Sequence, residues 1–253
     1  MNDPDFIFGL RPVIEAIKAG KQIDRLLVKK GLRGDLYHEL IREVRDAGIH
    51  YHAVPPERLD TVTRKNHQGV IAWLSAIEYQ EIENILPVIF ESGKDPLVLV
   101  LDGVSDVRNF GAIARSAECL GVNAIIIPEK RSARINADSI KTSSGALNNI
   151  PVVRAGSIMK TISYLKQSGL KIIAASEKSE TAPDRAYLKG PLALVMGSED
   201  KGIGRELLAE ADHHVAIATS GITSSLNVSV ATGILLYEIN RQRAEGRESD
   251  QKS

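Results

Sequence analysis

Residues 97–128 read LVLVLDGVSDVRNFGAIARSAECLGVNAIIIP and contain a complete strand–helix–strand pattern. Two apolar runs of strand length, at 97–101 and 124–128, flank a helical segment. Runs rich in β-branched residues that alternate with helices are typical of a parallel sheet covered on both faces. Similar runs follow as IPVV at 150–153, KIIAA at 171–175, LALVM at 192–196 and HVAIA at 214–218. The pattern predicts a parallel α/β domain over residues 96–243, with a closing helix near 226–241.

The residues before this domain form a second, smaller α/β pattern over residues 1–76. Its predicted elements are helices at 10–19 and 35–47, strands at 23–30, 49–54 and 69–76, and a short helix opened by Pro55 and Pro56. Residues 77–95 are acidic and polar and are predicted to be a linker, within which a helix can form. The polar residues 244–253 are predicted to be a disordered tail.

The composition is that of an ordinary globular protein of 253 residues, with 43% hydrophobic and 25% charged residues. No run approaches the ~20 apolar residues of a membrane span, so we expect no membrane partner and a cytoplasmic location. The 32 basic and 32 acidic residues balance, so any surface for nucleic acid must be local. Cys119 lies in an apolar helical run and is predicted to be buried. His50 and His52 share one face of a predicted strand and could hold a metal, but no Cys or carboxylate lies beside them at ligand spacing, so we predict no metal site.

A polar loop with Asp102, Asp106, Arg108 and Asn109 follows the first strand of the larger domain. Functional groups of open α/β sheets gather beyond the carboxyl ends of strands, which makes this loop a candidate for chemistry. Arg115 lies six residues after Asn109, and we expect both side chains to face one crevice. Taken alone, the same residues also fit a polar connection followed by a surface arginine.

Two later strand ends carry polar loops of their own. The segment LVMGSEDKGIGRELL at 194–208 has glycines that allow close backbone approach, and an ordinary glycine turn is its alternative explanation. It lacks the Gly-Lys-Ser/Thr of a phosphate loop. The segment IATSGITSSLNVSVATGILLYE at 217–238 is predicted to open a helix near Ser224 or Ser225. Ser225, Ser229 and Gly233 would then form a stripe of small residues suited to close packing.

Together these three segments resemble the signature blocks of the SpoU class of SPOUT RNA methyltransferases, in the family's order, although Val107 stands where the family usually has proline. The resemblance covers about residues 97–240. FGLRPVIEAI and HQGVIAW also resemble the family's substrate-binding extension, which is similar in shape to ribosomal protein L30e. The resemblance implies methyl transfer from S-adenosylmethionine to a ribose 2′-hydroxyl, a C-terminal trefoil knot and a homodimer.

The resemblance also implies roles for individual residues. Matched positions on the catalytic side are Asn109, Arg115, Glu199, Ser225 and Asn227, and matched cofactor positions are Gly197, Ile217 and Leu226. The family assigns the hydroxyl proton to Arg115. An arginine has a pKa above ~12, so Arg115 can instead hold an RNA phosphate and act electrostatically.

Local basic clusters are the predicted contacts to RNA. They are Lys29, Lys30 and Arg33 in the first unit, and Lys130, Arg131 and Arg134 in the run KRSARINADSIK at 130–141. The two-domain length resembles family members that methylate a guanosine of 23S rRNA. A tRNA guanosine methyltransferase and a non-catalytic RNA-binding protein on the same fold are the alternatives.

Overall fold

The computed structural model describes residues 6–222 and 225–250, with side chains as far as Glu245. The chain divides into two compact units. The first comprises Met1–Glu78 with Ile135–Ala137, and the second comprises Tyr79–Arg134 with Asp138–Ser253.

The first unit is a small mixed sheet packed against helices. Its elements are β1 (Phe6–Phe8), α1 (Leu10–Lys18), β2 (Ile23–Lys29), α2 (Asp35–Asp46), β3 (Tyr51–Val54), α3 (Pro56–Asp60) and β4 (Val70–Leu74). The strand order is β1-β4-β2-β3, with β2 parallel to β3 and antiparallel to β4. The helices bury apolar stripes, including Val13 and Leu40, against Leu26 of the central strand. The predicted elements are confirmed within a few residues, and only the short β1 was missed.

The second unit is built on a larger sheet. Its elements are β5 (Tyr79–Gln80), α4 (Ile82–Glu91), β6 (Leu97–Asp102), α5 (Val107–Cys119), β7 (Ala124–Pro128), α6 (Ala137–Thr142), β8 (Val152–Ala155), α7 (Ile158–Gln167), β9 (Lys171–Ala175), β10 (Leu192–Gly197), α8 (Arg205–Ala209), β11 (His213–Val215) and α9 (Val228–Asp250). The seven strands lie in the order β11-β9-β10-β6-β7-β8-β5, and every pairing is parallel. The predicted parallel α/β fold is therefore confirmed.

The centre of this sheet explains why its strands have continuous apolar runs. Leu97–Leu101 of β6 is completely buried, because helices cover both faces of the strand. On one face, Val98 and Val100 pack with Ile126 and with Ile162 of α7. The carboxyl ends of these central strands support the loops described below. The trefoil knot stays a prediction.

Residues 79–95 of the predicted linker at 77–95 are instead part of the second unit. β5 pairs with β8 and adds an edge strand to the sheet. Ile82, Ile85 and Leu86 of α4 are buried in the core, because their helical spacing places them on one face. The acidic residues that suggested a linker lie on the exposed side of the same helix.

Two further predictions about the second unit were wrong. The tail expected to be disordered from 244 is helical, since α9 continues to Asp250, and residues 251–253 lie outside the described residues. Arg241 pairs with Glu238 and Glu245, three and four residues away, which stabilises the helix where its composition is polar. Cys119 is exposed rather than buried, because it lies on the outer side of the last turn of α5.

Over residues 6–222 and 225–250, no helix is both long and apolar enough to cross a membrane. Within the same residues, no three His, Cys, Asp or Glu side chains cluster as metal ligands would.

Candidate active site

Two of the three polar loops emerge side by side from the sheet. β6 and β10 are parallel neighbours, and their last residues, Asp102 and Gly197, lie opposite each other in the ladder. The loops that follow them therefore begin at the same edge, as expected for the carboxyl ends of parallel strands. A hydrogen bond joins them, because the backbone N–H of Gly204 donates to Oδ2 of Asp102 at 2.7 Å.

The loop after β10 folds back on its own strand. Ser198 and Gly202 exchange two backbone hydrogen bonds, of 2.8 and 3.2 Å, and Gly202 has a φ of +66°. A side chain at Gly197 would place a Cβ 2.1 Å from the carbonyl carbon of Gly202, which no real structure tolerates. Gly197 is therefore required by the approach of two backbone segments.

The loop after β6 leads into α5 through a side-chain cap. Oδ1 of Asp106 accepts a hydrogen bond from the backbone N–H of Asn109 at 2.8 Å, which satisfies a free donor of the first helical turn. Val107 is the first residue of this helix, a position where proline is favoured. Because the Asp106 cap is present, the helix begins here without the proline.

Three polar side chains from the three loops meet in one network. Nδ2 of Asn109 donates to Oε1 of Glu199 at 2.6 Å, and Nδ2 of Asn227 donates to the same oxygen at 2.9 Å. Asn227 also donates to Oδ1 of Asn109 at 3.1 Å. Oδ1 of Asn227 accepts from the backbone N–H and the hydroxyl of Ser229, at 2.9 and 2.6 Å. Asn227 thereby joins the start of α9 to the other two loops.

A cavity of about 520 Å³ opens next to this network. Its lining includes six of the residues predicted for the site: Gly197, Glu199, Ile217, Ser225, Leu226 and Asn227. A further loop that follows β9, Ala175–Lys178, also lines the cavity and was not predicted. No unusual residue marks that loop, and only its place at a strand's carboxyl end could have indicated it.

The cavity suits a ligand with an apolar body and several polar groups. Its volume lies within the range of roughly 300–1,000 Å³ usual for small-molecule sites. Ile217, Leu226 and Leu235 offer apolar surface, and the glycine loop offers backbone groups. The adenine, ribose and charged amino-acid end of S-adenosylmethionine match this mixture.

Arg115 does not line this cavity, and neither does Asn109, with which it was predicted to share a crevice. Six residues rotate a helix by ~600°, so Arg115 is turned about 120° away from Asn109. Arg115 is instead exposed on α5. Ser225 does line the cavity, but α9 begins only at Val228, so Ser225 is not part of a helical stripe with Ser229 and Gly233. The alternative start at Ser224 lies outside the described residues.

The predicted RNA contacts are exposed in both units. Lys29 is the last residue of β2 in the first unit, and Lys30 and Arg33 follow it. Lys130, Arg131 and Arg134 are exposed in the second unit, although the intervening Ala133 is buried. The backbone N–H of Ala133 donates to the carbonyl of Val104 at 2.9 Å, which holds this basic segment against the loop after β6.

Comparison with known proteins identifies the family. Residues 96–237 match the model of the SpoU rRNA methylase family, and residues 6–80 match the RNA 2′-O ribose methyltransferase substrate-binding model. The chain belongs to the SpoU methylase family. It is therefore an RNA methyltransferase that uses S-adenosylmethionine. The two matched models fall mainly on its two units.

Three relatives illustrate the breadth of this family. The 23S rRNA (guanosine-2′-O-)-methyltransferase RlmB of Yersinia pestis is 36% identical over 94% of this chain and 98% of that protein. The SpoU methyltransferase AviRb of Streptomyces viridochromogenes, solved with AdoMet, has a TM-score of 0.61 and 26% identity over 95% of this chain and 90% of its own. The TrmH/SpoU tRNA modifying enzyme of A. aeolicus is 30% identical, with a TM-score of 0.55, over 65% of this chain and 85% of its own.

Proposed function

We propose that this methyltransferase transfers the methyl group of S-adenosylmethionine to the ribose 2′-hydroxyl of a guanosine in 23S rRNA, in the cytoplasm. The observation that carries the proposal is the Asn109–Glu199–Asn227 network at the edge of the cavity. It supplies donors and a carboxylate beside a site that fits the cofactor. The similar Yersinia pestis enzyme, matched over nearly its whole length, supports the same reaction.

The chemistry requires positioning and the loss of one proton. S-adenosylmethionine would supply the methyl group: a ribose oxygen would bond to the methyl carbon as the carbon–sulfur bond broke, the sulfonium would become a neutral thioether, and the hydroxyl proton would leave to solvent water. Gly197, Ile217 and Leu226 would hold the cofactor, while Asn109, Glu199, Ser225 and Asn227 would orient the hydroxyl in line with the methyl group. Arg115 is exposed on α5 and its guanidinium is a poor proton acceptor, so it would hold an RNA phosphate and act on the hydroxyl electrostatically.

The choice of rRNA over tRNA rests on the two-unit organisation. The tRNA enzyme of A. aeolicus matches only 65% of this chain, whereas the rRNA enzyme of Yersinia pestis matches 94%. The alignment with the rRNA enzyme therefore includes the first unit of this chain. A tRNA guanosine remains the second candidate.

The first unit would bind RNA through one end of its sheet. Lys29 ends β2 and Lys30 follows it, and Nζ of Lys65 lies 6.0 Å from the Phe8 ring centroid at the end of β1. The backbone N–H of Lys29 donates to the carbonyl of Gly69, just before β4, at 2.8 Å. These chain segments therefore share one end of the sheet, where cations can contact phosphates although the whole chain is neutral.

We also propose a homodimer in which a second copy covers α9. Val230, Ile234 and Tyr237 recur at helical spacing on this helix and are 50%, 40% and 64% exposed. Gly233 faces Ser116 of α5 in the same chain, so this residue of the predicted stripe packs internally. The exposed apolar side chains of Val230, Ile234 and Tyr237 are the surface left for a partner.

We expect light scattering to give the mass of a dimer for the wild type and the mass of a monomer for Ile234→Glu. A monomeric wild type at micromolar concentration would refute this assembly.

The target can be tested by mapping ribose methylation in rRNA and tRNA from cells with and without the gene. The proposal expects one 23S rRNA guanosine to lose its 2′-O-methyl group and to regain it on complementation. Complementation with a gene that encodes the Gly197→Ala variant should not restore the methyl group. Loss of a tRNA methyl group instead would replace the rRNA target with the second candidate.

A further inference from the structure

A second crevice, of about 380 Å³, lies in the second unit between the first turn of α5 and the short α6. Its polar lining includes Asp106, Arg108, Asp138 and Lys141. Asp106 and Arg108 belong to the loop that the sequence marked as a candidate for chemistry, and Asp138 and Lys141 lie in the run at 130–141. None of the four lines the 520 Å³ cavity. We call it the Arg108 crevice.

Tight packing holds the two walls of the Arg108 crevice together. A Cβ at Gly111 of α5 would lie 2.6 Å from Cβ of Thr142 and 3.0 Å from the carbonyl oxygen of Ser139. Only glycine therefore lets α6 approach α5 so closely. Thr142 itself lines the crevice, so the position of α6 relative to α5 determines its shape.

The crevice adjoins the catalytic network through the α5 cap. Asp106 lines the crevice, and the same carboxylate accepts the backbone N–H of Asn109 at 2.8 Å. Arg108 is the neighbour of Asn109 in the chain. A nucleotide whose ribose reaches Asn109 thus has the Arg108 crevice within one helical turn.

The charges of the crevice suit a base edge better than a phosphate. Arg108 and Lys141 are cations, Asp106 and Asp138 are carboxylates, and all four are exposed. Within the described chain, Arg108, Lys141 and the Asp138 carboxylate form no ion pair with one another. A phosphate site would show an excess of cations. Guanine presents an acceptor, O6, beside two donors, N1–H and the 2-amino group, and so requires both charges.

We propose that the Arg108 crevice binds the guanine base of the nucleotide being methylated. Asp138 accepts hydrogen bonds from N1–H and the 2-amino group, and Arg108 or Lys141 donates to O6. RNA bases displaced from a helix are commonly read along this edge. The inference rests on the proposed function, because it names the groups that make guanosine the substrate.

The test compares single-turnover methylation of two matched RNAs, which carry either the target guanosine or inosine at that position. Inosine lacks only the 2-amino group. We expect the wild type to methylate the inosine RNA about tenfold more slowly. Asp138→Asn should methylate the guanosine RNA at least about tenfold more slowly than wild type and should discriminate less than twofold between the two RNAs. The Kd for S-adenosylmethionine should not change.

Asp184→Asn is the matched control, since Asp184 is exposed in the same unit and lines neither cavity. It should methylate both RNAs at the wild-type rates.

If Asp138→Asn keeps full discrimination against inosine, recognition of the base by the crevice is refuted. The inference also fails if Arg108→Gln and Lys141→Gln slow the methylation of both RNAs equally while Asp138→Asn has no effect. That result would indicate contacts to phosphate rather than to the base. A wild type that leaves guanosine unmethylated but methylates another nucleotide refutes the proposed function itself, before any variant is compared.

Discussion

The two units of this methyltransferase present their polar groups in different ways. In the first unit, Lys29, Lys30 and Arg33 are exposed beside a strand end. In the second unit, Asn109, Glu199 and Asn227 are connected by short hydrogen bonds around a glycine-dependent cavity. Exposed cations attract RNA over a distance and tolerate changes of geometry. The cavity depends on atomic fit. The proposed roles of the two units therefore predict that RNA capture and methyl transfer respond to different substitutions.

The largest expected effect comes from Gly197→Ala. The added methyl group would overlap the backbone at Gly202, so the loop must move and the cofactor site must change shape. We expect binding of S-adenosylmethionine, measured by calorimetry, to weaken at least about a hundredfold, equivalent to ~2.7 kcal/mol. Gly156→Ala is the matched control, because a Cβ there would meet no atom within 4 Å. Near-normal cofactor affinity in a folded Gly197→Ala variant would show that the loop is not the cofactor site.

Arg115→Ala is expected to separate chemistry from cofactor binding. Arg115 does not line the cavity, so the Kd for S-adenosylmethionine should stay within about twofold of wild type. The methylation rate should fall more than tenfold, which is a loss above ~1.4 kcal/mol. Arg115→Lys should restore little, because lysine lacks the planar fork of the guanidinium. Arg185→Ala, at another exposed arginine of the unit, should keep the wild-type rate. A rate above a tenth of wild type in Arg115→Ala would remove Arg115 from the proposed mechanism.

Replacement of Lys29, Lys30 and Arg33 by Glu should weaken RNA binding without changing cofactor binding. We expect about tenfold weaker RNA binding and a salt dependence whose log–log slope is smaller by roughly 2, because phosphate contacts are lost. Cofactor affinity should be unchanged.

The control for this variant reverses Lys21, Arg42 and Arg45 in the same unit. All three are exposed, and Lys21 precedes β2, at the opposite end from Lys29. Equal loss of RNA affinity in both triple variants would mean that net charge, rather than a local surface, attracts the RNA.

The smallest expected effect concerns the stability of α9. The pKa of Glu238 lies below its ordinary value, chiefly because the Arg241 guanidinium donates hydrogen bonds to it. A carboxyl group whose pKa is lower in the folded state stabilises the fold above its ordinary pKa, and this contribution is lost as pH falls through the lowered value. Glu238→Gln should therefore have a lower melting temperature than wild type at pH 7. The difference in melting temperature should shrink below about pH 4.5.

Glu245→Gln is the comparison for this measurement. Glu245 pairs with the same arginine but is 58% exposed, so water should screen its contribution. An equal loss of melting temperature in both variants would contradict a special role for Glu238.

The sequence predicted the sheet and most of the cavity because both follow from strand ends. The apolar runs located β6 and β10, and the segments after them contain Asn109, Gly197 and Glu199. The position of Arg115 was mispredicted, since spacing along a helix was not converted into rotation about its axis. Ala175–Lys178 was missed because its residue types are ordinary. Ile82, Ile85 and Leu86 had helical spacing, but the acidic residues around them suggested a linker.

The central claim, that a ribose hydroxyl receives the methyl group, can be tested directly. The purified protein is incubated with unmethylated 23S rRNA and S-adenosylmethionine labelled in its methyl group, and the RNA is then hydrolysed with alkali. A 2′-O-methyl group blocks cleavage at its own nucleotide, so the account predicts label in one alkali-resistant dinucleotide that begins with guanosine. Label recovered in single nucleotides would place the methyl group on a base and would contradict the account.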